Sequence, residues 1–421
     1  MLDKKFRRDI LEKARIIRFS NMARFLFNED KVIVLNRLNG QWIKISKQCY
    51  DILKSCEEEK ISTLDLCEQL EDADDCKYMM DMIELLASMN CLYDDNVRNI
   101  DNISLAITHR CNLKCIHCMV DADFCKDNKD YFDTKTICSF LDKIVAVSPK
   151  SITLTGGEAL LRPDCITIIK YLRSIFAGKI TLMTNGTLIT TKNVESIASS
   201  VNSIDISLDG ADEQSCSVIR GKGVFDKVVS NIKLLHLHGF SNITLSMVLS
   251  ANNVRYKQQF FELNKTLGTR PMLRALSYEG RAKDNKEILD NVVTTDATIS
   301  NEKKVDIENR GCCCTAGYDQ LTIEANGDIF PCNLFVEPEF KLGNIAEVED
   351  ISKILDGNKG CFLCKSIQKY DPGKFESCKN CNVNYFCWSC VYPMYKLDKK
   401  EFQERCAYKK EMLKTIWEQE G

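Results

Sequence analysis

Three cysteines stand close together on one short stretch of the chain: Cys111, Cys115 and Cys118, separated by three and then two residues. They directly follow an apolar run, residues 103–108, which is typical of a β-strand. Soft thiolates suit iron–sulfur clusters, and three of them on one loop can hold three irons of a 4Fe–4S cluster. The fourth iron is then open to a reactive ligand. The spacing alone leaves two alternatives, a zinc loop and three unrelated buried cysteines.

A second group of cysteines occupies the C-terminal part of the chain. Eleven of the 23 cysteines fall between Cys312 and Cys406. Because cytosolic thiols stay reduced, this clustering favours metal ligands over disulfides. Zinc is the alternative metal for the Cys-x2-Cys pairs in this region.

The composition is that of an ordinary globular protein long enough for two or three domains. A formal net charge of -3 offers no reason to expect nucleic acid as a partner. No apolar run is long enough to span a membrane, and the N-terminus lacks the apolar stretch of a signal peptide. We therefore expect a cytoplasmic protein without a membrane partner.

Residues 98–290 alternate between strand and helix patterns, which predicts an α/β fold with a parallel sheet, a partial six-stranded TIM-like barrel. The predicted strands are Ile103–Thr108, Ser151–Leu154, Lys179–Met183, Ser203–Ser207, Asn242–Leu249 and Pro271–Leu276. The clearest predicted helices are Thr134–Val145, Cys165–Phe176 and Phe225–His238.

Polar or glycine-bearing segments follow several of these strands. Gly156-Gly157-Glu158 comes after the second strand, Asn185 after the third, and Ser207 and Asp209 after the fourth. In parallel sheets the ligand site lies at the carboxyl ends of the strands. We therefore expect these segments to face one mouth together with the three-cysteine loop.

Residues 1–97 read as a separate small domain. Strand candidates near 24–27, 31–35 and 42–45, with an Asn39-Gly40 turn, precede three helical patterns near 47–58, 63–71 and 78–90. Ser62 or Thr63 is the expected N-cap of the second helix. This order predicts a winged-helix-like module, for which DNA is the first partner to consider.

The charge of this module argues against DNA. Nine acidic residues and one Lys lie between Cys56 and Cys76, on helices that would approach phosphate. A strand edge beside a helix can instead take up a peptide by β-augmentation. A packing or dimerisation module is the alternative.

The loop at Cys111, Cys115 and Cys118, followed by a Gly-Gly-Glu segment after the next strand, resembles the radical S-adenosylmethionine (SAM) superfamily. The resemblance implies that the three cysteines hold a 4Fe–4S cluster whose open iron is chelated by SAM. It further implies that residues at seven positions bind SAM: Gly156, Gly157, Glu158, Asn185, Ser207, Asp209 and Arg220. The family often has Pro after the Glu, where this chain has Ala159.

The C-terminal part, residues 291–421, is similar to the SPASM domain, which carries auxiliary iron–sulfur clusters. Its usual opening is matched by Cys314, Gly327 and Cys332. The resemblance assigns these ligands to a distal cluster: Cys378, Cys381, Cys387 and Cys406. It assigns these to a nearer cluster: Cys314, Cys332 and Cys390.

Some cysteines fit the SPASM pattern less well. The gap before Cys390 is two residues, where the family usually has three. The fourth ligand of the nearer cluster remains open between Cys312, Cys313 and a substrate thiol. Cys361 and Cys364 have no clear counterpart, and His117 is expected to be a spacer beside the SAM cluster.

The N-terminal domain resembles the leader-peptide recognition element fused to maturases of ribosomally made, post-translationally modified peptides (RiPPs). Together the three resemblances imply a radical SAM peptide maturase whose partners are a precursor peptide with its leader and a low-potential electron donor such as flavodoxin or ferredoxin. A 5'-deoxyadenosyl radical would abstract hydrogen from a peptide carbon, and a thioether to a Cys sulfur would form. A C–C crosslinking maturase, a sulfatase-maturing oxidase and a zinc-rich nucleic-acid-binding protein are the alternatives.

Overall fold

The computed structural model describes residues 15–93, 99–122, 129–250, 253–289, 311–358 and 363–418. These residues form two compact units. The first takes its described residues from 1–98, 306–316 and 358–421, and the second from 99–305 and 317–357. No helix in the described ranges is long and apolar enough to cross a membrane. Residues 290–310 lie outside the described residues, and the three predicted domains with boundaries at 97 and 290 remain a prediction.

The N-terminal part of the first unit is a three-stranded antiparallel sheet followed by three helices. The strands are β1 (Ala23–Asn28), β2 (Lys31–Asn36) and β3 (Trp42–Ser46), paired in the order β1-β2-β3. The helices are α1 (Lys47–Glu59), α2 (Thr63–Gln69) and α3 (Ala73–Ser88). Ser62 is the N-cap of α2, because its side chain accepts from the Asp65 amide and Asp65 reciprocates in a capping box. The third helix begins five residues before the predicted start, with Asp72 as its N-cap.

The second unit is built on a parallel sheet, which confirms the predicted α/β partial barrel. Its six parallel strands are β4 (Asn102–Ala106), β5 (Ser151–Thr155), β6 (Lys179–Thr184), β7 (Ser203–Ser207), β8 (Ile243–Leu249) and β9 (Arg270–Ala275). They pair in chain order, so each crossover places a strand beside its predecessor. β9 is an edge of the sheet, which therefore remains open as a partial barrel.

The described residues of this unit include eight helices. They are α4 (Thr134–Ala146), α5 (Cys165–Ile175), α6 (Val194–Ser200), α7 (Glu213–Arg220), α8 (Val224–Leu237), α9 (Lys257–Leu267), α10 (Arg281–Asp284) and α11 (Lys286–Leu289). Residues alternate along the strands, so Ile152 and Leu154 of β5 enter the core while Thr153 faces the opposite side. Ile168, Ile169 and Leu172 of α5 pack into the same core.

A hairpin from the cysteine-rich part of the sequence extends this sheet. It consists of β10 (Gln320–Ile323) and β11 (Asp328–Phe330), followed by the two-residue β12 (Gly343–Asn344). β10 pairs parallel to β4, with Ile323 opposite Leu105. Asn326 and Gly327 lie in the turn of this hairpin, whose strands are continuous with the barrel sheet.

The C-terminal segment of the first unit carries short helices around the remaining cysteines. They are α12 (Asn384–Cys387), α13 (Tyr392–Lys396), α14 (Lys399–Leu413) and α15 (Thr415–Glu418). Trp417 lies on α15 and is buried.

Candidate active site

The three-cysteine loop begins just after β4 and is fixed to the helix α7. The Ile116 amide donates to the Ile219 carbonyl at 3.0 Å. Cys111 and Cys115 are buried and Cys118 is partly exposed. Burial raises the pKa of Cys111 to about 11, and the neighbouring thiols of Cys115 and Cys118 contribute to the same shift. The structure thus brings the three predicted ligands together.

Gly156 and Gly157 lie directly against the start of this loop. The Gly157 amide donates to the Thr108 carbonyl at 3.0 Å, and the Glu158 amide donates to the Arg110 carbonyl at 2.8 Å. A Cβ atom on Gly157 would lie 2.4 Å from the Arg110 carbonyl oxygen. Gly156 has a φ of 152°, and a Cβ there would lie 2.3 Å from the Thr108 carbonyl oxygen. Only glycine allows this backbone approach.

Glu158 joins the ends of β5 and β6. Its carboxylate is buried and accepts hydrogen bonds from Thr184 Oγ1 and from the Asn185 amide, each at 2.6 Å. Burial raises the pKa of the Glu158 carboxyl, whereas these hydrogen bonds oppose the shift. Glu158 therefore positions neighbouring strand ends through its side chain.

Asn185 reaches from the end of β6 to the cysteine loop. Its Nδ2 lies 2.8 Å from Asn112 Oδ1 and 3.8 Å from Cys111 Sγ. Its Oδ1 accepts from the amide and hydroxyl of Thr187. An amide donor near the Cys111 sulfur stabilises negative charge on that thiolate.

Asp209 and Arg220 form a buried ion pair beside the same loop. Arg220 Nε lies 2.6 Å from Asp209 Oδ2, and His117 Nε2 lies 2.9 Å from the same oxygen. Burial alone would raise the pKa of Asp209, but Arg220 and His117 lower it well below its ordinary range. Arg220 Nη1 lies 3.8 Å from Cys115 Sγ. His117, expected from sequence to be a spacer, therefore contacts this carboxylate.

Ser207 lies at the end of β7, two residues before Asp209. It is half-buried, and its hydroxyl makes no hydrogen bond to the described residues. The position therefore presents a polar group at the carboxyl edge of the sheet.

Arg281 holds the outer side of the cysteine loop, a role that the sequence analysis missed. Its Nε donates to the Cys115 carbonyl at 3.0 Å, and its Nη1 contacts Asp121 Oδ1 and the Ala122 carbonyl. A Cβ on Gly280 would lie 2.5 Å from the Cys118 carbonyl oxygen. No short motif marks this clamp, because it joins residues 166 positions apart.

A second missed group stabilises the end of β4. Arg110 makes a bidentate pair with Asp130 at 3.1 and 2.7 Å. Arg162 pairs with Asp164 in the same manner and donates to the Ile107 carbonyl at 2.8 Å. Bidentate arginine pairs hold fixed geometry, so this network orients the strand end that carries the cysteine loop.

The site fits a SAM-bound iron–sulfur cluster in its donor set. Three thiols share one loop, a glycine cradle lies beside them, and a buried arginine faces the Cys115 sulfur. Among the described residues, no three Cys, His, Asp or Glu side chains converge to hold a single metal ion. A 4Fe–4S cluster does not require such convergence, since each thiolate binds a different iron.

Four C-terminal cysteines of the first unit also lie near one another. Burial raises the pKa of Cys378 to about 11, and Cys387, Cys406 and Cys381 each add to that shift. These are the four predicted distal-cluster ligands. Arg405 Nη1 lies 3.1 Å from Cys387 Sγ and its guanidinium stacks 3.9 Å from the Trp388 ring centroid.

The other cysteines are divided between the units. Cys312 is buried and close enough to Cys314 for their thiols to interact, while Cys313 is exposed. Cys390 is partly exposed in the first unit, and Cys332 is buried in the second. Cys364 is buried in the first unit. Cys361 lies outside the described residues.

Two family profiles match the chain. Residues 105–262 match the profile described as the radical SAM superfamily. Residues 313–382 match the SPASM profile, described as an iron–sulfur cluster-binding domain. The cofactors that accompany these domains are a SAM-binding 4Fe–4S cluster and auxiliary iron–sulfur clusters.

Two relatives show how far the similarity extends. The subtilosin biosynthesis protein AlbA of Bacillus subtilis is 24% identical over 426 aligned positions, covering 89% of this chain and 90% of AlbA. The mycofactocin maturase MftC of Mycolicibacterium smegmatis is 25% identical over 260 residues, covering 57% of this chain and 66% of MftC.

A solved structure shares the fold. The crystal structure of Streptococcus suis SuiB bound to S-adenosylmethionine superposes with a TM-score of 0.55 at 18% identity, covering 91% of this chain and 97% of SuiB. SuiB bound to its precursor peptide SuiA gives the same TM-score.

Proposed function

We propose that this radical SAM enzyme with a SPASM domain is a maturase that forms a thioether crosslink in a ribosomally made peptide. The observation that carries the proposal is that one chain contains both an N-terminal sheet-and-helix module and a radical SAM core. The alignment with AlbA covers 89% of the chain. The unaligned remainder is shorter than the N-terminal module, so the alignment includes at least part of that module. AlbA is a biosynthesis protein for the bacteriocin subtilosin, and SuiB has been crystallised with a precursor peptide.

The N-terminal module supports a peptide as the partner. β1 and β3 are both edge strands of its sheet, and either edge offers backbone groups to an added strand. Phe27 on β1 is 48% exposed. A groove of about 620 Å³ along α1 and α2 is lined by apolar side chains, including Leu66 and Leu70, and by the charged side chains of Lys47, Asp51 and Glu59. The apolar lining of this groove suits a leader segment with apolar residues.

The SAM site is proposed to use the residues at the ends of β4–β7. Cys111, Cys115 and Cys118 would hold the cluster. The carbonyl oxygens of Gly156 and Gly157 accept no hydrogen bond within the described residues, and they would accept from the SAM amino group. Arg220, oriented by Asp209, would bind the SAM carboxylate, a planar contact that suits a guanidinium. The Asn185 amide and the Ser207 hydroxyl would contact the remaining polar atoms of SAM.

The cofactors determine what is removed from the peptide. When bound, SAM and the clusters supply two things: a 5'-deoxyadenosyl radical, which takes one hydrogen atom from a peptide carbon, and an acceptor for a second electron. The thiol releases its proton. The crosslink thus forms one C–S bond with the net loss of two hydrogens. A flavodoxin or ferredoxin would supply the low-potential electron that starts each turnover. The auxiliary clusters are assigned to the ligands named from sequence, with the fourth ligand of the nearer cluster open.

Two alternative products keep the same cofactors. A C–C crosslink also removes two hydrogens but leaves every thiol available. A formylglycine-type oxidation is disfavoured by Asn333, because those oxidases carry an Asp after the matching Cys and an amide cannot accept a proton as a carboxylate does.

The test is anaerobic incubation of the reconstituted enzyme with SAM, a reductant and any short Cys-bearing peptide that a reading frame beside its gene encodes. We expect a product lighter by two hydrogens in which one thiol resists alkylation by iodoacetamide. A product with the same mass loss and every thiol alkylated would replace the thioether with a C–C link. An unchanged peptide under conditions that cleave SAM would contradict a maturase function on that peptide. A peptide lacking its leader should react at least about tenfold more slowly if the N-terminal module binds the leader.

A further inference from the structure

Arg37 is a buried cation within the first unit, just after β2. Its side chain has no exposed surface. Nη2 lies 3.1 Å from Asp371 Oδ2, and Nη1 donates to the carbonyl oxygen of Cys312. Arginine stays protonated in proteins, so the buried guanidinium carries a positive charge opposite Asp371. A single side chain of the N-terminal module therefore contacts the 312–314 cysteine segment directly.

The surrounding contacts fix this guanidinium from several sides. Tyr385 Oη donates to Asp371 Oδ1 at 3.1 Å, and the Cys312 amide donates to the Tyr385 carbonyl at 2.6 Å. The Arg37 guanidinium lies 5.5 Å from the Tyr385 ring centroid. The Asp371 carbonyl accepts from the Phe375 amide, in the turn that leads to Cys378. Arg37 and Asp371 thus lie between two cysteine-bearing segments of the same unit.

The positive member of the buried pair is the one that touches the 312–314 segment. The Arg37 guanidinium is hydrogen-bonded to the carbonyl oxygen of Cys312. The Asp371 carboxylate accepts from Arg37, from the Tyr385 hydroxyl and from the Gly373 amide. The cation therefore contacts this segment directly, and the anion lies on the other side of the guanidinium.

We propose that Arg37 raises the reduction potential of the auxiliary cluster held by the 312–314 segment, and that Asp371 lowers it. The inference rests on the proposed cluster ligands, Cys314 with either Cys312 or Cys313. Reduction adds one negative charge to a cluster, so a fixed cation beside it stabilises the reduced form. Cluster potentials respond to local charge, hydrogen bonding and burial. Through Arg37, the N-terminal module contributes to an electron acceptor as well as to peptide recognition.

The experiment uses full-length protein in which Cys111, Cys115 and Cys118 are replaced by Ala, so that only auxiliary clusters remain. Midpoint potentials are measured by redox titration monitored by electron paramagnetic resonance. We expect Arg37→Gln to shift one potential to more negative values and Asp371→Asn to shift the same potential to more positive values. Arg37→Lys keeps the charge and should stay near the parent. Tyr385→Phe, which removes a hydrogen bond without changing charge, is the matched neutral control.

Opposite shifts on removal of opposite charges, with Arg37→Lys and Tyr385→Phe near the parent, separate an electrostatic role from a structural one, because the effect of lost packing does not depend on the sign of the removed charge. Unchanged potentials, or shifts of the same sign, in variants that retain the parent's iron content would overturn the inference. A protein that binds no iron without the three loop cysteines would overturn it as well. Asp371→Asn is isosteric and keeps the test valid if Arg37→Gln does not fold. Failure of the maturase proposal has a different signature, namely an unmodified peptide, and it leaves these potentials unaffected.

Discussion

Arg220 Nε donates a 2.6 Å hydrogen bond to Asp209 Oδ2, and both side chains are buried beside the three-cysteine loop. Asp209 has a positive φ of 62° and lies two residues past the end of β7. Its other carboxylate oxygen accepts from the Val248 amide on the next strand. Asp209 is thus a fixed anchor that aims Arg220 toward the Cys115 sulfur.

We predict that Asp209→Asn weakens SAM binding by about ten- to a hundredfold, because a charge-assisted hydrogen bond that orients Arg220 is replaced by a neutral one. Equilibrium dialysis with labelled SAM measures the effect. The iron content should remain that of the parent. Asp226→Asn, on the exposed first turn of α8, is the control and should leave the affinity unchanged. Unaltered SAM affinity in Asp209→Asn would show that Arg220 needs no such anchor.

Gly157→Ala should destabilise the protein by about 1–3 kcal/mol, because the new methyl group would overlap the Arg110 carbonyl oxygen. Thermal unfolding of the cluster-free protein gives the stability change. Gly343→Ala is the matched control, since a Cβ there meets side-chain atoms only at 3.8 Å. Equal stability of the two variants would mean that Gly157 does not lie against the Arg110 carbonyl oxygen in solution.

Much of this site is predictable from the sequence, because most of its residues belong to short segments that directly follow strands. Three cysteines with fixed spacing, and polar residues directly after strands, need only the strand order to be brought together. The βα alternation supplies that order, since parallel strands end at the same edge. The strand Ser203–Ser207 was predictable to the residue because Ile204 and Ile206 alternate with polar neighbours.

Other parts of the site depend on tertiary contacts without a sequence pattern. Arg281 reaches the cysteine loop from a short helix far along the chain, and Arg37 reaches Cys312 across 275 positions. An isolated arginine in a sequence is most often a surface residue. Only the folded chain distinguishes these two buried or half-buried arginines from the many exposed ones.

Removal of the Arg281 clamp should make the SAM cluster labile. We expect Arg281→Ala to lose iron to a chelator about tenfold faster than the parent, because the hydrogen bonds to the Cys115 and Ala122 carbonyls are lost. The release is followed by absorbance of a ferrous chelate. Lys283→Ala, on the same helix with a side chain 60% exposed, should behave as the parent. Identical iron release from all three proteins would refute the clamp.

Burial of the Cys111 thiol predicts a specific pH dependence in cluster-free protein. Its pKa of about 11 leaves only a small thiolate fraction at pH 8, and the thiolate is the reactive form. Between pH 8 and pH 10 the alkylation rate of Cys111 should therefore rise about a hundredfold, as measured by peptide mass spectrometry. In urea-unfolded protein the same cysteine should show only the several-fold rise of an ordinary thiol. Matching profiles in both states would contradict the buried position of Cys111.

The central claim is that a radical formed at the Cys111–Cys118 loop takes hydrogen directly from a peptide. The most direct measurement uses the cognate precursor with deuterium at its side-chain and α-carbons, incubated anaerobically with SAM and reductant. The account predicts deuterium in the 5'-deoxyadenosine that is released, in step with the crosslinked peptide. 5'-Deoxyadenosine that carries no deuterium while the peptide is crosslinked would contradict it.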